Sequence, residues 1–143
     1  MKVLSGASLV SILAAGLASA QGGHAPFSVT KFSAGATPHS SIGYVELSWS
    51  YPGSSGEIKC SAKPGTAQSF PSVAKIPCSD PSTFFSLTKR QEGGATLELW
   101  HEMTHGIHTI QEKDIVWTNQ QSPTGTVQVY SGPQSFEVVT IAY

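Results

Sequence analysis

Ala95-Thr96-Leu97-Glu98-Leu99-Trp100-His101-Glu102-Met103-Thr104-His105 is the stretch on which the fold turns, because it carries two incompatible patterns. His101-Glu102-x-x-His105 matches H-E-x-x-H. On a helix the two histidines share one face and can hold a zinc ion, with Glu102 as the base that polarises the metal-bound water. His108 lies three residues further on, and Leu99, Met103, Ile107 and Ile110 fit helical spacing. Against this, Leu97 and Leu99 alternate with polar or amphipathic neighbours. In an extended strand the two histidines would stand about 13 Å apart.

The flanking sequence favours the strand. Gln91-Glu92-Gly93-Gly94 has the composition of a hairpin connection, which makes Thr96 to Trp100 its second arm. A catalytic zinc site also needs a third protein ligand. Gly106 directly follows His105, so no H-x-x-G-x-x-H extension exists. Gly125-Thr126 continues into Val127-Gln128-Val129 and not into an aspartate, and nothing singles out Asp114 or Glu137. A small zinc metallopeptidase built on His101, Glu102 and His105 therefore stands as the alternative expectation.

Outward from this stretch the period is two. Val45, Leu47 and Trp49 share one face of a strand over Tyr44 to Ser50, and Ile58, Cys60 and Ala62 share one face of the next. Strands are expected at Phe27 to Phe32, Thr83 to Thr88, Ile115 to Thr118, Thr126 to Tyr130 and Phe136 to Ile141. Gly, Pro and Ser turns separate them, as at Ser122-Pro123-Thr124-Gly125. Lys63 to Pro81, rich in proline and small residues, reads as a long loop. The expected fold is all-β, an antiparallel barrel or sandwich.

The chain has 143 residues, 39% hydrophobic and only 12% charged. Lys2, the apolar run Val3 to Leu17 and Ala18-Ser19-Ala20 have the layout of a secretory signal with cleavage before Gln21. Residues 1–20 are thus expected as signal peptide and 21–143 as a single secreted domain without a membrane anchor. The net charge is −1, and −2 once Lys2 is lost with the signal, which argues against a nucleic-acid binder. The remaining chain has two cysteines, Cys60 and Cys78, and so one possible disulfide, expected under oxidising conditions. No C-x-x-C or G-x-S-x-G is present. Glu46, Glu98 and Glu137 would need burial together to act as a glycosidase pair. Trp49, Trp100 and Trp117 read as core or rim residues, with a ligand-stacking platform as the lesser expectation.

Phe27-Ser28-Val29 with Phe32 and Ala34, Pro38-His39-Ser40, Cys60-Ser61-Ala62, Phe84-Phe85-Ser86-Leu87, Leu97-Glu98-Leu99 and Tyr130-Ser131-Gly132-Pro133-Gln134-Ser135-Phe136 form an outline over most of the expected mature chain. It resembles the Alternaria major-allergen-like family of small secreted ascomycete effectors and elicitors. The resemblance implies an antiparallel β-barrel, exported by a fungus, that acts by binding a host or cell-surface partner without catalysis or cofactor. Members of that family usually carry a second disulfide and some a dimer-linking cysteine, neither of which has a counterpart here. A monomer or non-covalent dimer is therefore expected. A host or cell-wall protein is the expected partner, and the Lys63–Pro81 loop with the turns is the expected working surface. A structural, cell-wall-associated protein is the remaining alternative.

Overall fold

A computed structural model describes residues 24–121 and 124–142; the expected signal peptide lies outside them. Ten strands follow in order among the described residues: β1 Phe27–Ala36, β2 Gly43–Ser50, β3 Ile58–Ala62, β4 Val73–Pro77, β5 Thr83–Lys89, β6 Ala95–His101, β7 Thr104–Ile110, β8 Ile115–Gln121, β9 Thr124–Tyr130 and β10 Phe136–Ala142. The one helical piece among them is a 3₁₀ turn at Glu112–Asp114. The pairing order is β3-β2-β1-β10-β7-β6-β5-β4, antiparallel throughout, with the β8–β9 hairpin attached to β1. This is a nearly closed barrel.

Alternation fixes the inside. Ala95, Leu97 and Leu99 of β6 are fully buried, as are Phe85 and Leu87 of β5 and Val45 and Trp49 of β2. A one-residue slip would turn each set to solvent, so burial pins the register. Trp49 packs its ring against Phe27 with centroids 4.8 Å apart, and its indole N–H points at Cys60 Sγ, 3.1 Å away. β1 changes partner along its length. Its first residues pair with β10, a bulge follows at Lys31 (φ 56°), and beyond it Gly35 faces Val129 of β9. The bulge lets one strand serve two sheet neighbours.

The two ends of the pairing order, β3 and β4, meet at a seam. The Cys60–Cys78 disulfide crosses it, with Cα atoms 4.5 Å apart. Beside the bridge, Ser79 N–H donates to the Lys59 carbonyl (2.8 Å), and Lys59 N–H donates to Ser79 Oγ (3.0 Å). The expected disulfide thus closes the barrel.

One expectation changes, and one ambiguity resolves. Lys63–Pro81 is not one long loop: β4 lies within it, Gly65 bridges to Ile42, and Phe70 is buried in the core. Its prolines escaped the strand pattern because β4 is an edge strand with an irregular register against β5, where a missing N–H is tolerated. The ambiguous stretch after Trp100 also resolves into a tight hairpin, β6 to β7, with His101 facing Thr104.

The bridge encloses a sequence separation of 18 residues. Breaking it with Cys60→Ser/Cys78→Ser is expected to lower stability by about 3 kcal/mol, measured as urea midpoints of parent and variant at equal m-value.

Candidate functional site

The H-E-x-x-H residues occupy the β6–β7 hairpin, and the strand period separates them. His101 is two residues beyond Leu99 and so turns to the inner side, where its ring stacks on Tyr51 at 3.6 Å and 14°. His105 faces Trp100 across the pair and so turns outward, stacked on that indole at 4.7 Å and 4°. Its Nε2 lies 2.8 Å from Glu98 Oε1. Two imidazoles on opposite faces of one sheet cannot grip a common ion. Glu102 sits in the turn itself, 73% exposed, touching His101 at 3.8 Å. The helix on which the metallopeptidase reading depends is replaced by this hairpin. Among the described residues no three His, Cys, Asp or Glu side chains are grouped to hold a metal. The reason is local: Glu102 opens a two-residue turn with φ 54°, the conformation a tight hairpin demands of its first central residue.

That positive φ is unfavourable for a residue with a Cβ. Glu102→Gly is expected to raise stability by up to about 1 kcal/mol in thermal melts, because the turn keeps its shape and loses its strain.

The outward faces of the barrel differ sharply in chemistry. On β1, β2 and β3 they carry polar groups, with Lys31 paired to Glu57 at 3.7 Å and Thr30 donating to Glu57 at 2.8 Å. An antiparallel sheet that faces water is expected to look like this. On β10, β7, β6 and β5 the outward face sets apolar and aromatic side chains among polar ones. One cross-strand row runs Ile141, His105, Trp100, Phe84, and the next runs Val139, Ile107, Glu98, Ser86. Val139 is 74% exposed, Ile141 49%, Ile107 40%, and Met103 at the hairpin tip 62%. Lys75 of β4 lays its ammonium over Trp100 (4.3 Å to the ring centroid) and Phe84 (5.2 Å). The aromatic end of this band is therefore held rigid by stacking, a cation over the rings and the His105–Glu98 contact, while its aliphatic end lies open.

The other carboxylates do not gather. Glu137 accepts from Ser28 Oγ (3.0 Å), Glu98 sits with His105, and neither meets Glu46. A shallow cleft of about 250 Å³ is lined by His108, Lys113, Asp114, Tyr130, Pro133 and Phe136, among others. Tyr130 donates its hydroxyl to the Pro133 carbonyl (2.6 Å), and burial with the nearby Asp114 pushes its pKa up to about 12. His108 stacks on Phe136 at 4.0 Å, and burial holds its pKa below the ordinary value of 6.5.

His108 thus takes up its proton less readily in the fold than in the unfolded chain, which protonates first as the pH falls. Stability from this site is full above the ordinary histidine range and declines as the pH drops through it. Melts are expected to show a fall in Tm between about pH 7 and about pH 5 that shrinks in His108→Gln.

No protein-family model matches the chain, and no curated protein resembles it at a significant level. The sequence pointed at His105 for metal chemistry, whereas the structure places it in an aromatic stack. It pointed at the Lys63–Pro81 segment as the working surface, and that segment contains a strand and a core phenylalanine. The apolar band was missed, although Val138-Val139-Thr140-Ile141 holds its signal: successive apolar residues on a strand must send one of them outward.

Proposed function

We propose that this chain is a secreted, non-catalytic binding protein, effector-like or elicitor-like and of fungal type, that engages a host or cell-surface protein through the outward face of β10, β7, β6 and β5. The observation that carries this is the contiguous exposure of Ile107, Val139 and Ile141 beside a rigid aromatic row, on a barrel whose opposite wall is polar. Single exposed apolar residues need no explanation, but neighbouring ones on paired strands mark an interaction surface. Glu98, His105 and Lys75 stand within the same face, where the His105–Glu98 contact and the Lys75 ammonium set fixed polar groups among the apolar ones, and interfaces combine apolar and aromatic area with such polar contacts. The family outline of the sequence supports the same reading, since binding without catalysis is what it implies. The signal-like N-terminus supports export.

The test is capture by the immobilised chain from plant apoplastic fluid and from solubilised cell-wall protein. Val139→Asp and Ile141→Asp both lie on the solvent side, so the fold persists. A partner retained saturably by the parent is expected to be lost from both variants, with binding weakened by at least about tenfold. Retention by both variants, or retention only of insoluble wall material, would sink the reading.

A further inference from the structure

A second recognition feature lies away from the apolar band, at one mouth of the barrel. There the β5–β6 turn, the β8–β9 hairpin and the segment before β4 enclose a cleft of about 320 Å³. Phe70, 1% exposed, and the half-buried Ile115 give it an apolar lining. Trp117 of β8 stands at its side and is 59% exposed, in contrast to the fully buried Trp49. The polar groups that converge here are Lys89 and Arg90, Glu112, and Gln128. From these residues we infer that the cleft is a binding site for a neutral oligosaccharide.

Three features of the site select that class. The first is the indole. An exposed tryptophan at a barrel mouth offers a flat apolar plate, and the C–H face of a pyranose ring is a flat apolar surface of matching size. The second is the balance of charge. Arg90 donates from Nε to Glu92 at 3.0 Å, and Lys89 and Glu112 both line the cleft. Two cations and two carboxylates leave no net field to select an ion. They do leave polar ends for a sugar: the Glu112 carboxylate can accept from two neighbouring hydroxyls, and the Gln128 amide nitrogen can donate to another. The third is preorganisation. Gln128 Oε1 accepts from Phe70 N–H (2.9 Å), and the Gln128 backbone N–H donates to the Gln68 carbonyl (2.9 Å). The amide is therefore fixed before any ligand arrives, with its Nε2 hydrogens turned to donate to a hydroxyl oxygen. Across the cleft, Gly93 at φ 105° keeps the turn free of side chains. A Cβ there would come within 2.6 Å of the Glu112 carboxylate, so the bare backbone is what gives that carboxylate room.

This site and the apolar band are independent, and so are their tests. The purified full chain is titrated calorimetrically with laminarihexaose, cellohexaose and chitohexaose, and with an oligogalacturonide of the same length as the charged comparison. Saturable binding of at least one neutral hexaose is expected, with a Kd below about 1 mM. Trp117→Ala is expected to weaken it by at least about tenfold, Trp117→Tyr to retain most of it, and Val139→Asp to leave it unchanged. Because Trp117 is mostly exposed, its substitution leaves the core intact. Binding of none of the neutral probes, binding of the oligogalacturonide alone, or unchanged affinity in Trp117→Ala would each overturn the inference.

Discussion

The closing seam between β3 and β4 is the constraint on which the rest of the barrel depends. An antiparallel sheet with this order has two free edges, and a row of unpaired N–H and C=O groups at each invites pairing with other chains. Here the edges are brought together by one covalent bridge and two flanking hydrogen bonds between Lys59 and Ser79. The bridge launches from Cys60, whose side chain is inside the barrel beside Trp49, so closure and core packing are the same event. With the seam shut, inward residues have no water to face and outward residues have no core. Every side chain is then committed to one of two environments.

That commitment explains both exposed surfaces. Once the interior is filled by Phe27, Phe32, Trp49 and the leucines of β5 and β6, an apolar residue of opposite parity has only solvent to meet. Val139 and Ile141 are in this position on β10, and Ile107 joins them across the pair. Trp117 is on the hairpin that leaves the main pairing order, where no neighbouring strand covers it. The fold needs none of these residues outward, so their exposure is a property of the surface and not of the scaffold.

How far this could be foreseen follows from parity and burial. β2 and β6 announce themselves because Val45, Leu47 and Trp49, and Leu97 and Leu99, alternate cleanly with polar partners. The disulfide was legible because two cysteines admit one pairing. β7 was not, because its inward positions are Thr104, Gly106, His108 and Ile110, which carry no apolar alternation. Gly106 stands inward for lack of room: a Cβ there would meet the Phe27 ring at 2.8 Å. β4 was hidden by the proline at its end, Pro77, and by the prolines of the segment around it. H-E-x-x-H was the misleading signal, since its spacing describes a helix face and a two-residue turn at Glu102 and Met103 splits it between two strands. No local pattern could place Trp117 beside Gln128, Arg90 and Phe70, because that gathering exists only after the barrel forms.

The pairing of β1 with β10 has a temporal side. Ser28 and Glu137 touch across 109 residues of sequence, so the first residues of β1 have no neighbour on that edge until β10 has been synthesised. Pairings of such long sequence range assemble slowly, since the chain must surrender loop freedom before the ladder rewards it. The barrel is therefore completed only once β10 is available to pair. The same adjacency leaves the two ends of the domain side by side, so a short peptide could tie them together and the ring be cut open elsewhere without altering its architecture.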